Sequence, residues 1–240
     1  MAAVRGAGAK LLDRRMESVL LLAVGAVAVR FGFADAALAY LKPSFQPILL
    51  IAGVVLVLLG GHGLLRGDDG GHEGHGHDDS PGVAWLLAVP LLVLLLIAPP
   101  ALGSFAAGRQ GPVATVSASG FVELPPAREG AVDLGMRDFV TRALQDPDRS
   151  LEGVPVRVVG FVVPDDSGDG YLLSRFTVAC CAADATAYTA RVVGDGDRTA
   201  DTWVEITGRW EPADGSGGDA PVLVADRVTV VPTPEEPYEY

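Results

Sequence analysis

Cysteine occurs at only two of the 240 positions, and those two are adjacent, Cys180 and Cys181. Histidine occurs four times, always between Gly61 and Asp79, and nowhere after His77. Cations are scarce: 18 Lys and Arg face 30 Asp and Glu, a formal net charge of −12. Each shortage excludes something. Two neighbouring cysteines cannot staple a domain together, so any soluble part has to be held by its own core. With no imidazole beyond residue 77, the C-terminal half has nothing to activate a thiol nucleophile, and we expect no enzyme. The cation deficit excludes nucleic-acid binding, because attraction to phosphate is largely electrostatic and here has the wrong sign.

What is present divides into two halves. Residues 1–105 hold seven Lys/Arg against eight Asp/Glu, whereas residues 106–240 hold eleven against twenty-two, a net of −11. Three apolar stretches, 17–40, 48–65 and 83–105, fill the first half. A bilayer span takes about 20 mostly apolar residues, so the pattern predicts an α-helical membrane domain of three spans over 1–105. Arg30 and Asp35 interrupt the first stretch, leaving 19–33 as its apolar core; Arg30 is expected to snorkel to the outer interface or to pair with Asp35. Arg14 and Arg15 also suit the start of a signal peptide, but no small-residue cleavage site follows and further apolar stretches do. Arg5, Lys10, Arg14, Arg15 and Arg66 lie on one side of the expected spans, against Lys42, Arg109 and Arg30 on the other. By the positive-inside rule the N-terminus then lies in the cytoplasm and the C-terminal domain outside the cytoplasmic membrane.

Between the second and third stretches, 66–82 reads "RGDDGGHEGHGHDDSPG". His72, His75 and His77 are candidate ligands for zinc, copper or nickel, with Asp68, Asp69, Glu73, Asp78 and Asp79 as weaker oxygen donors. Glycine lets several imidazoles gather round one ion, but nothing pre-organises them, so binding is expected to be weak and fast. The bland reading is a solvated connector. On the expected orientation this loop faces the cytoplasm and cannot share an ion with the cysteines.

In the acidic half, 106–130 reads as a linker entering a first extended segment. A helix is expected next, with Asp133 as its N-cap, Leu134, Phe139, Val140 and Leu144 near one face and Pro147 as its stop. Five runs of polar-apolar alternation follow, at 153–164, 171–181, 187–193, 202–210 and 221–231, separated by Gly-rich turns. Five short strands of this kind predict a mainly β, OB-like small barrel over 131–231. Such a scaffold names no ligand. Trp203 and Trp210 are expected to pack rather than to form a base-stacking platform. The segment 232–240, "PTPEEPYEY", is acidic and Pro-rich and is expected to be a disordered tail.

The two cysteines close the second run. Neighbours in a strand point to opposite faces, so both sulfurs can reach one ion only if the backbone leaves strand geometry, as the Ala-Ala-Asp turn after them permits. Three readings stay open. Cys180 and Cys181, with Asp184 assisting, form a metal site with an exchangeable fourth position; or they cycle between dithiol and a strained vicinal disulfide outside the cell; or they merely pack as small apolar groups.

The stretches "YLKPSF" (40–45), the His-rich loop, the Pro-rich third apolar run, "VVGFVVP" (158–164) and above all "RFTVACCAADA" (175–185) resemble the YcgQ-like family of bacterial membrane proteins, described as subunits of permeases. The resemblance covers nearly the whole chain. It implies an accessory subunit working beside a separate polytopic permease, with a link to metal homeostasis and zinc in particular. It also implies that Cys180, Cys181 and Asp184 belong to a Cys-Cys-x-Ala-Asp-Ala motif in an OB-like domain.

Overall fold

The computed structural model describes residues 2–65, 100–110, 120–165, 170–212 and 220–240. Two compact units result: Met1–Ala37 with Pro43–Pro100, and Leu38–Lys42 with Ala101–Tyr240.

The first unit contains α1 (Ala2–Phe33) and α2 (Gln46–Leu65). Arg15–Phe33 and Pro43–Leu65, 19 and 23 residues, are long and apolar enough to cross a membrane. Val19, Ile48, Ile51, Leu58 and Leu65 point outward and are exposed, an apolar surface that suits lipid and not water. The two helices meet through glycines: a Cβ at Gly25 would lie 2.8 Å from Gly53 O, and one at Gly60 would lie 2.7 Å from Ser18 O. In lipid, where apolar helices gain nothing from hydrophobic burial, close backbone packing of this kind is what would hold them together.

The first helix stops at Phe33, short of the expected residue 40; a tighter 3-10 turn, Asp35–Ala39, takes over. The third expected span falls outside the described residues as far as 99, as does the loop 66–82. Ala101–Phe105, the end of that expected stretch, belong to the second unit.

That unit is built from a short helix α3 (Ser104–Ala107), β1 (Val132–Asp133), α4 (Met136–Gln145), β2 (Pro155–Pro164), β3 (Tyr171–Thr177), β4 (Thr186–Val193), β5 (Trp203–Glu211) and β6 (Val222–Val230). The strands form a mixed six-stranded sheet in the order β1-β2-β3-β4-β6-β5, and β2 pairs with β5 as well as with β3. Two pairings, β1–β2 and β4–β6, are parallel; the others are antiparallel. Alternation supplies the core: Val156, Val158, Val162, Leu173, Val192, Ile206 and Leu223 pack with Met136 and Phe139 of α4. A second cluster, Phe161, Val163, Phe176, Trp203 and Tyr238, lies apart from it. That is why Phe161, Val162 and Val163 are buried consecutively: both faces of β2 are covered there.

Two expectations are corrected. Asp133 lies in β1 and Gly135 is the N-cap of α4. The capping acceptor comes from far along the chain, where the Glu239 carboxylate takes the N–H groups of Met136 (2.7 Å) and Arg137 (3.0 Å). Nor is 232–240 a loose tail. Glu239 N–H donates to Phe176 O (2.8 Å) and Val178 N–H to Glu239 O (3.0 Å), which adds the segment to the edge of β3. Arg175 donates to the carbonyls of Glu236 and Pro237, and the Tyr238 ring is 2 % exposed. Composition marked the segment as solvated; its buried tyrosine and its main-chain pairing outweigh the acids.

Candidate metal centre

β3 ends at Thr177, Val178 is buried, and the backbone then turns. Cys181 is extended (φ −157°, ψ 171°) and leads into a single 3-10 turn, Ala182–Asp184. The turn swings Asp184 back under the chain. One carboxylate oxygen accepts the Ala179 N–H at 2.7 Å; the other accepts the N–H groups of Cys180 (2.9 Å) and Cys181 (3.2 Å) and the Cys180 thiol (2.7 Å). Strand alternation is therefore broken where the sequence required it, and the sulfurs lie 3.7 Å apart. Two thiolates on a tetrahedral ion with bonds of about 2.3 Å would sit about 3.8 Å apart. One ligand atom from each of Cys180, Cys181 and Asp184 lies within 4.8 Å of the others; among the described residues this is the one group of three His, Cys, Asp or Glu so arranged.

The charges favour a proton while no ion is bound. The hydrogen bond to Asp184, then the contact with Cys181, pushes the Cys180 thiol up to about 12. The same thiol, followed by the Ala179 N–H, holds the Asp184 carboxyl down at about 2. A thiophilic cation would reverse this logic, because a thiol that coordinates it loses its proton and two thiolates would balance the charge of a divalent ion. Two sulfurs and one oxygen leave a fourth position free for water or an incoming ligand.

The loop does not stand alone. Leu41 bridges Cys181 in antiparallel fashion, with Lys42 N–H donating to Cys180 O (3.1 Å) and Ala182 N–H to Tyr40 O (2.7 Å). The Tyr238 hydroxyl donates to Ala39 O (2.7 Å) and accepts from Leu102 N–H (3.0 Å). Tyr40 and Lys42 escaped the sequence reading as neighbours of the cysteine loop, and Tyr238 as a tie to their segment. The motifs "YLKPSF" and "RFTVACCAADA" were both visible, but nothing in a single sequence joins positions 140 residues apart. His72, His75 and His77 lie outside the described residues.

A separate groove of about 400 Å³ is lined by Asp133, Leu134, Gly135, Arg157, Val159, Arg175 and Glu205. Its charges answer one another: Arg157 pairs with Asp133 (3.1 Å) and, at the rim, with Glu129 (3.2 Å). Among the described residues no group of three metal-ligating side chains is assembled there.

Residues 138–240 match the family model of the DUF1980 C-terminal domain, a stretch that contains β2 to β6 and the whole cysteine loop. No curated protein and no solved structure matches the chain.

Proposed function

We propose that this protein is a membrane-anchored, non-enzymatic accessory subunit of a permease, in keeping with the YcgQ-like family, and that it binds a thiophilic ion such as zinc through Cys180, Cys181 and Asp184. One observation carries the reading: five consecutive residues, 180–184, gather two sulfurs 3.7 Å apart and a carboxylate beside them. The free fourth position suits an ion that is captured and passed on.

The pairings support a finer architecture. Strands β2, β3, β4, β6 and β5 each pair on both sides, and β5 returns to β2; this ring supports an OB-like barrel over 131–231. Three spans are supported by Leu41. The link between α1 and α2 pairs with the cysteine loop, so on this reading the link and the C-terminal domain share one side of the membrane. On this reading α2 leads away from that side, and the apolar stretch 83–99 of the sequence returns the chain to it before Ala101. The basic residues then put the N-terminus inside, the cysteines outside and His72, His75 and His77 in a cytoplasmic loop that holds the same metal loosely. Few polar groups lie on the spans, which suits a partner to a permease more than a pathway in its own right.

The redox alternative fares worse, because the thiolate is the attacking species and Asp184 keeps Cys180 protonated. Packing alone fares worse too, since both cysteines are partly exposed and neither joins the core.

Elemental analysis tests the proposal on the full chain in detergent, prepared anaerobically with zinc. The His72→Ala/His75→Ala/His77→Ala background should hold about one zinc per chain and lose it when Cys180→Ser and Cys181→Ser are added. Zinc retained in that five-fold variant, or absent from the His-loop variant, overturns the proposal.

A further inference from the structure

The peptide groups on both sides of Cys181 are held by the same distant segment. The carbonyl of Cys180 accepts Lys42 N–H, and the N–H of Ala182 donates to Tyr40 O. The Cys180–Cys181 peptide is also gripped at its other end, where Cys181 N–H meets Asp184 Oδ2 at 3.2 Å. A peptide is planar. Any tilt that Asp184 imposes on that N–H when it turns toward an ion therefore appears at the carbonyl bonded to Lys42. The segment carries no ligand of its own, yet two main-chain bonds set where Cys181, and hence its sulfur, is placed. A third tie, Tyr238 hydroxyl to Ala39 O at 2.7 Å, fixes the segment to the same domain.

We propose that Leu38–Lys42, the link joining α1 to α2, positions the Cys180–Cys181 pair and is itself ordered when the pair takes up a metal ion. This rests on the metal-binding reading above. Ligation by two sulfurs and a carboxylate stiffens 180–184, and the two inter-segment bonds pass that stiffness to residues 40–42. Coupling of binding free energies is reciprocal. A membrane partner that displaces α1 or α2 would thus loosen the ion without touching it, which is a route by which a permease could draw metal from its subunit.

Hydrogen exchange on the full chain, with and without zinc, tests the inference. Peptides spanning 34–45 and 178–186 should both slow, by about tenfold at the Lys42 and Ala182 amides. Zinc taken up with 178–186 slowed and 34–45 unchanged overturns the coupling alone; no zinc taken up overturns the metal reading and the coupling together. Lys42→Pro deletes one N–H, whereas Lys42→Ala deletes only the side chain. We expect Lys42→Pro to weaken zinc affinity about tenfold, the loss of one well-made hydrogen bond, and Lys42→Ala to leave it unchanged. Equal affinities in the two variants contradict the positioning role.

Discussion

The Asp184 carboxylate lies 2.7 Å from the Cys180 sulfur while accepting three main-chain N–H groups of the same loop. One side chain therefore shapes the turn and decides where the proton rests. Asp184→Asn removes the charge that keeps the Cys180 thiol protonated. Alkylation of Cys180 by iodoacetamide at pH 8 should then speed about tenfold, as the thiolate fraction rises. Mass mapping of the peptide containing 180–181 reads this directly; an unchanged rate would show that the carboxylate does not govern the thiol.

The same pair gives the metal-free protein a defined pH profile. Asp184 is depressed to about 2, so its stabilisation is present above the ordinary carboxylate value and is lost as pH falls through about 2. Cys180 is raised to about 12, so its stabilisation is present below the ordinary thiol value and is lost as pH rises through about 12. Between the ordinary carboxylate and the ordinary thiol value the contribution is flat. Asp184→Asn should abolish both flanks, and thermal melts of the two proteins across pH should converge at the extremes; curves that stay parallel would refute it.

Much of this was legible in the sequence, and the misses share a cause. Alternation located β2 to β6 within a few residues, because strands half-covered by a core have to alternate. Cys180, Cys181 and Asp184 were legible as a trio because their spacing is local. Long-range capping was not. Asp133 is a good N-cap by type, but α4 is capped by Glu239, about a hundred residues on. Likewise the acidic composition of 232–240 concealed Tyr238, whose ring packs against Phe176 in the second core cluster.

The Tyr238 hydroxyl makes two hydrogen bonds, to Ala39 O and from Leu102 N–H. Tyr238→Phe keeps the ring and leaves both main-chain groups without this partner. A loss of about 1–3 kcal/mol is expected, read as an earlier denaturant midpoint with the slope unchanged. A variant as stable as the parent would mean that water replaces the hydroxyl without cost.

Glu239 places a negative charge on the N-terminus of α4, where it meets both the free N–H groups and the helix dipole. Glu239→Gln retains the shape and removes the charge, and should destabilise the domain by about 0.5–2 kcal/mol. The effect should shrink in high salt; a salt-independent loss would point to packing instead.

Glycines 60 and 61 give a paired test of the α1–α2 contact. A methyl group at Gly60 would meet Ser18 O at 2.7 Å and Leu22 N at 2.9 Å, whereas one at Gly61 meets nothing within 4 Å. Gly60→Ala should cost about 1–3 kcal/mol through overpacking, and Gly61→Ala should cost nothing measurable. Thermal unfolding of the full chain in detergent separates them, and equal behaviour would remove this packing from the account.

The central claim is that Cys180 and Cys181 hold one ion together. Cobalt(II) loaded into the full chain in place of zinc reports this spectroscopically, since thiolate ligands give a near-ultraviolet charge-transfer band and a tetrahedral field gives intense visible bands. Both are expected, with the charge-transfer band roughly halved by either Cys180→Ser or Cys181→Ser and abolished by the two together. Cobalt bound without a thiolate band, and unaffected by either serine, would contradict the claim and move the metal to His72, His75 and His77.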